Sequence, residues 1–159
     1  VALLVAQRSR IPAPTAAVWE VVADPFRRPE WLAGVAGVRG EPLPPAQGPG
    51  LAEQRFTVEG RLGPLRFVAR EKVKAVWPGT MIAFRGDLGP ASYLWTLTLS
   101  ELDGEQTSLA WNMEVRPAHE APSLPTRFFL LLFRWIADRR ARRSLANLRA
   151  RLGRAGDQG

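Results

Sequence analysis

The stretch from Ser123 to Leu152 constrains this chain most, because its spacing fits one long amphipathic helix. Phe128, Leu131, Leu132 and Trp135 recur at intervals of three and four residues. Leu145, Leu148 and Leu152 take up the same period further on. At the rise of an α-helix the run would reach about 45 Å, enough to cross a small domain. Ser123 suits an N-cap, and Pro125 falls in a first turn that has no intrahelical donor to lose. Arg149 and Arg151 complement the negative end, and Gly153 marks a stop. Phe128 to Phe133 is apolar on every side. That half of the helix is expected either to be buried all round or to meet a ligand, a lipid or a partner. A second copy of the chain would serve equally, so monomer and homodimer both stay open.

Ahead of this helix the pattern changes to short elements. Val1 to Arg10 is rich in Val, Leu and Ile and predicts a first strand, ended by Ile11-Pro12-Ala13-Pro14. Thr15 to Ala23 predicts a short helix burying Val18, Val21 and Val22. Asp24-Pro25 closes it, since a residue before proline leaves helical geometry. Phe26 to Ala33 predicts a second short helix or turn, and Val35 to Gly40 a strand. The proline- and glycine-rich Glu41 to Gly50 cannot form a regular ladder and is expected to be an exposed loop. Strands separated by turn residues follow. Gln54, Phe56 and Val58 share one side of the first of these. Leu65, Phe67, Ala69 and Val73 share a side in the next, opposite Arg66, Arg70, Lys72 and Lys74. Ile82 and Phe84 pair in phase, as do Tyr93, Trp95, Leu97 and Leu99. Asp103-Gly104 signals a hairpin into Leu109, Trp111, Met113 and Val115. The order is strand, two short helices, a meander of about six strands, then one long helix.

Composition restricts the chemistry more than the fold. A chain of 159 residues is read as one domain, with a flexible tail from about 154. With 46% hydrophobic and 23% charged residues it has the make-up of a globular protein. Without cysteine it offers neither a disulfide nor a thiolate metal site, and His119 is its one histidine. No metal and no cofactor is expected. The apolar run Phe128 to Phe133 stops at Arg134, too short to span a bilayer. Val1 to Ala6 is too short, and lacks the basic leader, for a signal peptide. A cytoplasmic location is the expectation. The net charge of +7 is concentrated on the long helix. Arg139, Arg140, Arg142 and Arg143 could meet an anionic membrane or an acidic partner, or form a solvated face; nucleic acid is not expected.

Three blocks of text resemble a known family. Ile11-x-Ala13-Pro14, Val18-Trp19 and Asp24-x-x-x-x-Pro29-x-Trp31 form the first. Trp77-Pro78-Gly79 with Ile82-x-Phe84-Arg85 forms the second, and Leu145-x-x-Leu148 the third. Together with the element order they resemble the START-like helix-grip superfamily, the polyketide cyclase/dehydrase and birch-pollen-allergen-like group. The resemblance implies an α+β fold in which a curved antiparallel sheet of about six to seven strands wraps one long C-terminal helix, with two short helices after the first strand. It also implies a cavity between sheet and helix. The catalytic residues proposed for aromatase/cyclase members find no clear counterparts in this sequence.

If the inward face of the sheet lines that cavity, parity names its wall. Phe56, Val58, Phe67, Ile82, Phe84, Tyr93, Trp95, Trp111 and Met113 would form it. Phe128, Leu131 and Trp135 would close it from the helix, and Trp31 would sit near the mouth. Such a wall suits a hydrophobic small molecule or lipid held by one or two hydrogen bonds. The same side chains could instead meet and fill the space. Gln54 and Glu71 share the inward parity. A carboxylate in apolar surroundings could act as a general acid/base or anchor a ligand, or it could be neutralised by a partner such as Arg85. The leading expectation is a binding protein. The alternatives are a metal-free cyclase or dehydratase using Glu71 and Tyr93, and an interaction module docking through its arginine-rich helix.

Overall fold

The computed structural model describes residues 3–40, 54–89, 91–117 and 124–157. The expected loop Glu41 to Gly50, His119 and the Ser123 cap lie outside them. Strand β1 (Leu3–Ile11) leads into helix α1 (Thr15–Val22), a 3-10 helix (Pro25–Glu30) and β2 (Val35–Gly40). The meander follows as β3 (Arg55–Leu62), β4 (Leu65–Trp77), β5 (Met81–Leu88), β6 (Ala91–Asp103) and β7 (Gln106–Pro117). Helix α2 (Leu124–Asp157) completes the chain. The seven strands form one antiparallel sheet in the order β1-β7-β6-β5-β4-β3-β2. The first strand thus closes against the last, opposite Thr107 to Val115. Irregular register between Val73 and Ala75 bends the long β4, as an extra residue in one strand of a pair does.

Strand parity holds across the meander. Phe56, Val58, Ala69, Val73, Ile82, Phe84, Trp95 and Trp111 are all buried, while Arg55, Arg70 and Arg85 on the opposite face are exposed. Period two fixes a face, so each of these strands has one inward set.

The helix differs from the sequence pattern. Its buried line runs through Ala137, Ala141, Ser144, Leu145, Leu148 and Leu152, with Leu130 and Phe133 packed on the core at its start. Phe128, Leu131 and Trp135, expected to close the cavity, are 71%, 63% and 60% exposed. At 3.6 residues per turn, the stripe of Phe128, Leu131, Leu132 and Trp135 lies roughly 120° around the helix from Leu145, Leu148 and Leu152. The two stripes share a period and not a phase, and only the second faces the sheet. Helix α2 also continues through Gly153, where a stop was expected, to Asp157.

Polar contacts on the inward side fix how α2 lies. Arg140 Nε donates to Ala33 O at 2.8 Å, Ala33 N donates to Ser144 Oγ at 2.9 Å, and Asn147 Nδ2 donates to Trp31 O at 3.3 Å. Positions 140, 144 and 147 lie on one helical face, so they hold the Trp31–Ala33 turn against α2. That turn packs in turn on β3, where Arg61 N donates to Gly34 O at 2.7 Å.

Candidate functional site

One row across the sheet carries two of the site's polar groups, Glu71 and Tyr93. Phe56, Glu71, Gly86 and Tyr93 are successive register partners on β3, β4, β5 and β6. Gly86 leaves the space that its neighbours fill, since a Cβ there would overlap the Tyr93 ring and hydroxyl and crowd Glu71 Cγ. Tyr93 can therefore lean across β5 toward the Glu71 carboxylate. From the 3-10 helix, Arg28 reaches the same carboxylate, with Nη1 donating to Glu71 Oε2 at 2.8 Å. Both side chains are almost wholly buried, at 1% and 4% exposure. The guanidinium carbon also lies 4.8, 4.4 and 4.5 Å from the ring centres of Phe56, Phe84 and Trp95. Arginine suits this position because its planar, weakly hydrated cation stacks on rings while pairing with a carboxylate. Burial, reinforced by the charge of Glu71 and opposed by Arg28, raises the Tyr93 pKa well above its usual value. Tyr93 therefore stays a neutral phenol.

Beside this row lies a cavity under α2. Its apolar wall includes Val58, Phe67, Trp95, Trp111, Met113 and Phe133, and Glu71, Tyr93 and Arg140 bring charge or a hydroxyl to it. The volume open to the centre of a water-sized sphere is about 30 Å³, within about 450 Å³ of total empty space between the walls and the opening. A water molecule needs roughly 10–15 Å³ by the first measure, so the closed cavity takes a few waters at most. Arg140 lies partly buried at the helix side, its guanidinium carbon 5.2 Å from the centre of the Phe67 ring. Loss of hydration lowers its pKa to about 10, so it remains a cation at neutral pH.

The expected wall divides into three groups. Val58, Phe67, Glu71, Tyr93, Trp95, Trp111 and Met113 line the cavity. Gln54, Phe56, Ile82 and Phe84 are buried but do not line it. Phe128, Leu131 and Trp135 point away, for the phase reason given above. Trp31 is corrected in the opposite sense. At 1% exposure it is no mouth residue but packs against both Trp95 and Trp111, with ring centres 6.4 and 6.3 Å away. These rings fill much of the space that an open cavity would need.

Two arginines carry what the pattern missed. Arg28 neutralises Glu71 in place of the suggested Arg85, which is exposed on the outer face. No local periodicity announces it, since it is a cation in a short proline-flanked segment whose partner is 43 residues away. Arg140, expected on a docking face with Arg139, Arg142 and Arg143, turns inward to the cavity. Arg142 pairs with Asp138, and Arg139 lies 5.6 Å from the Trp135 ring centre. Among the described residues, no group of three or more His, Asp or Glu is placed to hold a metal ion. No described helix is long and apolar enough to cross a membrane.

A curved seven-stranded antiparallel sheet with a long C-terminal helix and a cavity between them defines a helix-grip protein of the START and Bet v 1 fold. The family model for polyketide cyclase / dehydrase and lipid transport matches residues 3–153, and the chain belongs to that family. Among solved structures it is similar to the Zhui aromatase/cyclase from Streptomyces sp. R1128. The TM-score is 0.80 at 17% identity, covering 97% of this chain and 95% of that one. A START superfamily protein from Mycobacterium smegmatis gives 0.75 at 12% identity, covering 96% and 98%. Ara h 8.0201 gives 0.65 at 11% identity, covering 96% and 98%. At these identities the likeness is one of fold. No curated protein matches the chain in sequence.

Proposed function

We propose that this protein binds a hydrophobic small molecule or lipid between the concave face of the sheet and α2. The observation that carries this reading is the cavity wall, largely apolar and aromatic with Glu71, Tyr93 and Arg140 converging on it. Few polar groups on an apolar wall orient a ligand without demanding a hydrated one. A ligand larger than a few waters requires the cavity to widen. Native mass spectrometry of the purified protein, before and after extraction with organic solvent, tests the reading. A bound mass lost on extraction supports it. An apo mass that stays unchanged through incubation with lipids and aromatic polyketides refutes it.

A cyclase or dehydratase-type activity is the second reading, favoured by Glu71 Oε1, which has no hydrogen-bond partner among the described residues. Against it, Arg28 engages the Glu71 carboxylate in an ion pair, and Tyr93 keeps its proton at neutral pH. Turnover by the wild type that is lost in Glu71→Gln, with folding intact, would establish the enzymatic reading. Unchanged turnover in that variant would remove Glu71 from any mechanism.

A further inference from the structure

The inner cavity shares part of its wall with a groove on the surface. Leu62 and Arg140 belong to its wall and also to the wall of an outer groove of about 370 Å³, between the β3–β4 hairpin and the outward side of α2. The two spaces are therefore neighbours across Leu62 and Arg140. Arg61, Arg139 and Arg143 also line the outer groove, and among the described residues no Asp or Glu does. Among the described residues none of these four arginines is in an ion pair. The interior repeats the imbalance. Arg28 and Arg140 bring two positive charges to it, while Glu71 brings one negative charge that Arg28 already engages. A cation held in apolar surroundings without a counter-charge is costly, and an arriving anion removes that cost. The Arg140 guanidinium is also positioned in advance, since its Nε is fixed on Ala33 O. Its other nitrogens are the side of the fork that pairs with a carboxylate or phosphate.

We propose that the ligand is an amphiphile ending in a carboxylate or phosphate, whose anionic head rests on Arg140 at this shared wall and whose apolar body enters the cavity toward Trp95 and Trp111. This rests on the ligand-binding reading above and specifies the chemistry of its occupant. Arg61, Arg139 and Arg143 draw the head toward the opening, and Arg140 fixes it there.

Four probes of one chain length separate the possibilities: dodecanoate, dodecyl phosphate, dodecanol and dodecyltrimethylammonium. Each is titrated into the whole protein near neutral pH, below its micelle concentration, with tryptophan emission and native mass spectrometry as readouts. Either or both of the anionic probes should bind at least about tenfold tighter than dodecanol, with the cationic probe weakest. Which anion binds tighter distinguishes a carboxylate from a phosphate head. In Arg140→Gln the preference for the anion should fall to within about twofold, and in Arg140→Lys most of it should return. If Arg140→Gln does not fold, Arg61→Gln with Arg139→Gln and Arg143→Gln should weaken the anion and flatten its salt dependence, leaving dodecanol unchanged. Equal binding of anion and alcohol overturns the inference and leaves the cavity reading standing. An anion preference that survives loss of the arginines overturns it too. Absence of binding by every probe overturns both.

Discussion

Two arginines in one interior have opposite circumstances. Arg28 sits at the closed end, ion-paired with Glu71 and flanked by Phe56, Phe84 and Trp95. Arg140 sits at the helix end, fixed by one backbone carbonyl and facing a small cavity whose one described carboxylate, Glu71, is already paired with Arg28. The same side chain serves structure where its charge is answered within the protein, and is free to serve a ligand where it is not. Tight packing follows the first. The Trp95 and Trp111 ring centres are 4.8 Å apart, and the small cavity beside them is also lined by Phe133 and Arg140.

The largest effect should come from breaking the closed end. Arg28→Met leaves the Glu71 carboxylate buried and unpaired, which should cost about 3–5 kcal/mol in denaturant unfolding. The double change with Glu71→Met should recover most of that loss, because an apolar pair suits the aromatic surroundings. Arg140→Met should instead change stability by no more than about 1 kcal/mol, since it exchanges one hydrogen bond for relief of a desolvated cation. Similar losses from the two single variants would erase the distinction between the ends.

Next in size is Gly86→Ala, which places a methyl group where Tyr93 crosses β5. It should cost about 1–3 kcal/mol by overpacking, and Tyr93→Leu in the same chain should relieve part of this. A smaller effect is expected in alkali. The folded-state pKa of Tyr93 is raised, so its contribution to stability is complete below the unfolded value near about 10 and is lost as pH rises beyond it. A stability profile that declines above that point, and flattens in Tyr93→Phe, is the expected outcome. Smallest of all is Leu131→Ser on the outer flank of α2, which belongs to neither end. It should alter stability by at most about 0.5 kcal/mol, against about 2–5 kcal/mol for Leu148→Ala on the inner flank.

That last pair also shows where the sequence stops being legible. Strand faces could be read because alternation leaves one choice of inward set, and Val58, Trp95 and Trp111 fell where it put them. The helix offered two apolar stripes of equal period, and spacing alone does not say which meets the sheet. Leu131 belongs to one and Leu148 to the other. Trp31 was placed in the right segment but not at its depth, because burial there depends on Trp95 and Trp111 from distant strands. Arg28 and Arg140 were hidden for a related reason. A buried arginine looks like any surface arginine until the partner, or the lack of one, is seen in three dimensions. The fold was thus readable from local periodicity, and the site only as far as the strands define it.

The most direct test of the account is a crystal structure of the protein soaked or co-crystallised with dodecanoate. The account predicts a carboxylate about 3 Å from the Arg140 guanidinium. It also predicts the alkyl chain in a widened cavity against Trp95 and Trp111, with the Arg28–Glu71 pair undisturbed. A chain lying on the exposed stripe of Phe128, Leu131 and Trp135, with the cavity closed as before, would contradict it.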